Sequence, residues 1–177
     1  DVETRLKELN MVLPEPAKPA FNYVPVAVWR DVAYVSGQLP KVGGGLLYTG
    51  KVPEEVSETQ AKECARVCVL QALACLKQEL GDLNRVSRVL RVTGFVNSSA
   101  GFSGQPLIID AASELLGEVF GEAGRELRGS GKRHVALLDR RNVVGLELLT
   151  QIAGRLREAL IGPPFAQAAA SDVGPAI

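Results

Sequence analysis

Few side chains in this sequence declare a chemistry by type and spacing. Cys64, Cys68 and Cys75 are spaced by four and seven, which puts them on one stripe of a helix. Three thiols on a single helix do not make a disulfide framework. A structural zinc site takes four Cys or His ligands, and the one histidine, His134, is far along the chain. Small buried hydrophobes are the simpler reading of the cysteines, and it implies a reducing compartment. His134 has no identifiable Asp or Glu to orient it as a base, so it reads as a surface strand residue. Arg128 follows the sharp reversal Gly121-Glu122-Ala123-Gly124. A guanidinium there either forks onto a carboxylate or is solvated on a turn. Glu147, on an alternating strand, is open between a solvated and a functional acid. Ser36-Gly37-Gln38 reads as a strand terminator, Tyr23 beside Pro25 as a half-buried aromatic, and Arg140-Arg141 as a hairpin turn. No GxxxxGK[ST] phosphate loop is present.

These residues sit at the ends of elements that patterning predicts. Residues 89–96 alternate as a strand, with Leu90, Val92, Gly94 and Val96 on one face and Val89, Arg91, Thr93 and Phe95 on the other. Asn97–Gly101 stops it. Pro106 opens a helix whose apolar positions are Ile108, Ala111, Ala112, Leu115, Leu116 and Val119, and Gly121 closes it. Upstream, Ser57 and Gln60 form a capping box for a helix over Glu58–Leu80, with Ala61, Cys64, Ala65, Cys68, Ala72, Cys75 and Leu76 on one side and Gly81 closing it. Val24–Trp29 and Val32–Ser36 read as a hairpin about Arg30-Asp31. Lys41–Gly50 is a glycine-rich loop with room for an edge strand at Leu46–Tyr48. After Arg128, Gly129-Ser130-Gly131 is expected to be flexible, Lys132–Leu138 and Val143–Ile152 to be strands, and Ala153–Leu160 a short helix.

The order β-β-(β)-α-β-α-β-β predicts an α+β two-layer domain, a mixed sheet with both helices on one face. Residues 1–20 read as an extended, Pro-rich lead-in with a helical turn at Glu3–Asn10, residues 21–153 as the domain, and residues 154–177 as a short helix and disordered tail. The bare sheet face and apolar residues on both strand faces point to oligomerisation. Twenty basic and twenty acidic residues cancel, so no global field collects nucleic acid. No apolar run approaches the roughly 20 residues that span a bilayer. No secretory leader is visible, the chain starts at Asp1 as if its true N-terminus were missing or cleaved, and a cytoplasmic location is expected.

The pieces NYVPVAVWRDVAYVSGQLP (22–40), TGKV (49–52), QALACLKQELGDLNRV (71–86), VTGFVNS (92–98) and IIDAASELLGEVFGEAGRELR (108–128) occur in this order. Together they resemble the RidA/YjgF family of reactive-intermediate imine deaminases, formerly labelled L-PSP endoribonucleases or translation initiation inhibitors. The longer members that carry GFVNS and EVFGEAG are the most similar. The resemblance implies a chorismate-mutase-like fold and a homotrimer with clefts between subunits. It also implies no metal or organic cofactor, and hydrolysis of 2-imino or enamine acids to 2-keto acids and ammonia. The ribonuclease label fits poorly with zero net charge and no His/Lys constellation.

Carried over residue by residue, the resemblance makes Arg128 the carboxylate-binding arginine and Tyr23 the aromatic lining the cleft. Ser36-Gly37-Gln38 becomes the strand end at its floor, and Asp110, read as substrate-binding, stands near where many members have Asn. The pattern departs after Arg128. The final strand of the family carries two alternating acids, and here it reads Val144-Gly145-Leu146-Glu147. In one register Glu147 is the second acid and Gly145 replaces the first, water-handling one. In the other, Glu147 is the functional acid and Arg133 takes the place of Arg128. A deaminase and a non-catalytic carboxylate-binding trimer of the same fold both follow from this pattern.

Overall fold

The computed structural model describes residues 1–16, 19, 21–125, 127–130 and 144–152. Two helices cover one face of a five-stranded mixed sheet, as the element order predicts. The strands run β1 (Val26–Trp29), β2 (Val32–Gln38), β5 (Val86–Val96), β6 (Leu127–Ser130) and β7 (Val144–Ile152), in sheet order β1-β2-β7-β5-β6. Among the described strand pairs of this sheet only β5–β6 is parallel.

Helix α2 (Glu58–Leu80) begins and ends where its sequence signals stand. Ser57 Oγ accepts from the Gln60 amide, the Gln60 side chain accepts from the Ser57 amide, and Gly81 takes a positive φ at the other end. Every residue of the small-residue stripe is buried. Helix α3 (Gln105–Phe120) lies beside α2, and its six apolar positions are buried too. Gly94 lets it lie close: a Cβ there would run into the Ile109 side chain.

The phase of β5 differs from simple alternation. Its register shifts between Val86 and Arg88 and again between Val89 and Arg91. Two bulges therefore bring Val86, Val89 and Val92 to the helix side and leave Leu90 half-buried. Glycines 43 and 44, both at positive φ, form a tight turn between β3 (Lys41–Val42) and β4 (Gly45–Leu46). Of the edge strand expected at Leu46–Tyr48 only Leu46 is strand, and it belongs to this small separate hairpin. Residues 129–130, expected to be flexible, are strand: the free edge of β5 gives β6 a parallel partner, and pairing outweighs the weak strand preference of glycine.

The helical turn expected at Glu3–Asn10 is present within the lead-in. Val2–Glu8 is a helix, α1, capped by Asp1, and Leu6 belongs to the core. The expected strand at Lys132–Leu138, the turn Asp139–Asn142, His134, the helix at Ala153–Leu160 and the tail lie outside the described residues. Among the described residues no helix is long and apolar enough to cross a membrane. The sheet face away from the helices carries Trp29 and Tyr34, 69% and 49% exposed.

Candidate functional site

Tyr23, Ser36, Gly37 and Glu147 meet at a defect in β2, whereas Arg128 stands on β6, two strands from Glu147, and Asp110 on α3. Val35 pairs with Leu148 and Gln38 with Leu146, so Ser36 and Gly37 together face the single residue Glu147. This is a β-bulge, which interrupts the ladder and re-aims the strand. Ser36 fastens it to the preceding segment. Its amide donates to Pro25 O at 2.9 Å, and its hydroxyl donates to Val24 O at 2.7 Å and reaches Pro25 O at 3.2 Å. Tyr23, half exposed, is thereby held next to the bulge by its neighbour Val24. Gly37 is exposed, and a Cβ on it would meet nothing within 4 Å.

On the other side of β7, Glu147 pairs with Thr93 and Gly145 with Phe95. One row across the sheet is thus the bulge, Glu147, Thr93 and Gly129. Arg128 occupies the neighbouring row with Val35, Leu148 and Val92. With strands spaced at about 4.8 Å, the Cα atoms of Arg128 and Glu147 stand about 10 Å apart, in successive rows that alternate between the two faces of the sheet. The turn that delivers Arg128 is held tightly: Gly124 is buried against the Leu116 and Gly117 backbone of α3. Asp110 lies on α3 next to Ile109, the residue that packs on Gly94. Arg133 lies outside the described residues.

Two stretches of the motif pattern meet in space. Val52 N donates to Asn97 O at 3.0 Å, Ser99 N donates to Val52 O at 2.9 Å, and Asn97 Nδ2 donates to Gly50 O at 2.9 Å. TGKV and GFVNS are therefore two halves of one hydrogen-bonded junction at the end of β5. Gln105 completes it, donating to Ser98 Oγ and Phe102 O, each at 2.9 Å.

Gln71 is not among the residues that the sequence singles out. Gln71 stands three residues after Cys68 and four before Cys75, so it falls on the cysteine stripe, and it is buried. A polar residue inside a buried stripe was the available signal. Groups with displaced acidity lie on or against the same helix. Burial pushes the Cys64 thiol up to about 11 and Cys68 well above the ordinary thiol range. The hydrogen bond to Glu63 raises Tyr48. Buried thiols held neutral in this way are poor nucleophiles.

A sequence profile described as "YjgF/chorismate mutase-like, putative endoribonuclease" matches residues 3–148. The chain belongs to that family. Protein TCP17 of Trypanosoma cruzi is 41% identical over 128 residues, which are 72% of this chain and 80% of that protein. The structure of protein Atu1372 from Agrobacterium tumefaciens, described as of unknown function, superposes with a TM-score of 0.77 at 38% identity. That match covers 86% of this chain and 92% of the other. RidA from an Antarctic Psychrobacter species shares the fold, with a TM-score of 0.50 at 17% identity, over 78% of this chain and 94% of its own.

Proposed function

We propose that the protein hydrolyses reactive 2-imino acids, and their enamine tautomers, to 2-keto acids and ammonia, in clefts between the subunits of a homotrimer. The observation that carries this reading is the β2 bulge, with Tyr23 beside it and Glu147 opposite it across the ladder. The substrate is a protonated imine next to a carboxylate. Its carbon is already electrophilic, so the reaction asks the protein for orientation and a placed water rather than a cofactor.

Arg128 takes the role of forking onto the carboxylate. Tyr23, Ser36, Gly37 and Asp110 hold the rest of the substrate, and Arg133 stands in for Arg128 in the alternative register. Glu147 removes a proton from water as its oxygen bonds to the imine carbon. The C–N bond then breaks, and nitrogen leaves as ammonium carrying both protons of the water. Atoms and charge balance: iminium carboxylate and water become keto carboxylate and ammonium. A cytoplasmic location, where the three buried cysteines stay reduced, belongs to the same proposal.

The test generates an imino acid in place, with an amino-acid oxidase or a pyridoxal lyase, and follows keto-acid release. The wild type is expected to accelerate release, and Arg128→Ala to abolish the acceleration. Gly145, where the family pattern carries an acid, favours a second reading, a carboxylate-binding trimer without turnover. Calorimetric binding of a 2-keto acid by a protein that leaves imine decay unchanged would select it.

A further inference from the structure

Among the described residues, the buried polar side chains are two glutamines, Gln38 at 6% exposure and Gln71 at 4%. Both act on the same short segment. Gln38 Nε2 donates to Ser36 O at 3.0 Å, and Gln38 Oε1 accepts from Cys75 Sγ at 3.7 Å. Gln71 Nε2 donates to Lys41 O at 2.9 Å, across from α2 to the first residue of β3. The two amides therefore hold the backbone immediately before and after Gly37–Pro40 from the helix side. Ser36 Oγ holds the same bulge from the other side through Val24 O.

An apolar residue would fill the Gln71 position at lower cost. Burying an amide is unfavourable unless its atoms are paired, and Gln71 Oε1 has no hydrogen-bond partner among the described residues. Cohesion of the core gives no reason for a glutamine there. Control of the Lys41 carbonyl does. The bulge takes Ser36 and Gly37 out of the ladder with β7, so on that side their course depends on side chains, while the Ser36 amide keeps its bond to Pro25 O on the other.

We propose that Gln71 and Gln38 are positioning residues: a buried amide clamp that fixes the peptide groups of residues 36–41 for the substrate. This rests on the deaminase reading above. Apart from the Cys75 thiol that anchors Gln38, the clamp bonds to backbone, so it acts through the geometry of Gly37 and Ser36. An error of about 1 Å at such a site costs on the order of 100-fold in rate.

The test compares wild type, Gln71→Met, Gln38→Met and Gln71→Asn by imine hydrolysis, thermal melting and amide hydrogen exchange. Gln71→Met keeps the length and shape and loses the donor. It is expected to melt at or above the wild-type temperature and to lose 10- to 100-fold in kcat per folded site. Amide exchange should rise in residues 36–42 and stay unchanged in α2. Gln38→Met should act in the same direction, and Gln71→Asn, which keeps the amide one methylene shorter, should recover part of the rate. A merely structural role predicts the reverse, a lower melting temperature with kcat per folded site intact, and that result overturns the proposal. Unchanged exchange in residues 36–42 overturns it as well. An inactive wild type with selective loosening in the Met variants would leave the clamp standing and discard the deaminase reading and the positioning role in that reaction.

Discussion

Gly124→Ala should destabilise the protein by about 3 kcal/mol, and the figure comes from what a methyl group would meet. The added Cβ would press on the Leu116 carbonyl oxygen, and would lie 2.5 Å from the Leu116 carbonyl carbon and 2.9 Å from the Gly117 nitrogen. Comfortable carbon contacts are about 3.5–4.0 Å, so the turn must retreat by about 1 Å. Overpacking typically costs about 1–3 kcal/mol. The upper end applies because the obstacle is helix backbone, locked by its own hydrogen bonds, where a side chain could rotate away. At about 2–4 °C per kcal/mol for a chain of this size, the melting temperature should fall by about 6–12 °C. Gly117→Ala supplies the control on the same helix. Its Cβ would meet nothing within 4 Å, and its gain in helix propensity should raise stability by about 0.5–1 kcal/mol. Calorimetric melting of both variants checks the pair. A Gly124→Ala melt within 1 °C of wild type, or an equal fall in both, would refute the close-approach reasoning. Since β6 starts three residues after Gly124, the displacement should also reach Arg128, lowering turnover in the proposed deaminase reaction about 100-fold.

Ser57→Ala removes one half of the capping box and should cost about 1 kcal/mol, read as a melting temperature about 2–4 °C lower. Glu147→Gln should leave folding intact and reduce kcat by about 100-fold or more, and unaltered kcat would remove Glu147 from the water-handling role. Trp29→Glu puts a charge on the bare sheet face and should convert the proposed trimer to monomers in sedimentation velocity, with helix content unchanged; a persistent trimer would move the interface elsewhere. The Cys64 thiol is raised in the folded state, so above the unfolded thiol pKa of about 8.5 the folded chain binds more protons than the unfolded one. Stability should therefore fall as pH rises from about 9 to 11, and Cys64→Ala should flatten that slope in alkaline melts. The same burial predicts that Cys64 and Cys68 resist alkylation at pH 8 until denaturant is added.

The elements written by local rules were legible in the chain. Helix α2 needs only Ser57, Gln60, Gly81 and a stripe of small residues, all within 25 residues, and it forms where those signals stand. The class of fold followed from the order of such elements, and the family from five motif pieces whose joint occurrence is explained by contacts such as Val52 with Asn97. What the sequence did not settle depends on partners distant in the chain. The bulges of β5 and β2 exist only against β7, and they decide that Val89 is buried, that Leu90 is not, and that Ser36 and Gly37 share Glu147 as a neighbour. The strand at 127–130 likewise comes from the open edge of β5, and the burial of Gln71 from the Lys41 carbonyl 30 residues away. Periodicity encodes which face of an element is apolar, because that is a local property of the chain. Register and the pairing of buried polar atoms are relations between segments, and only packing brings those segments together.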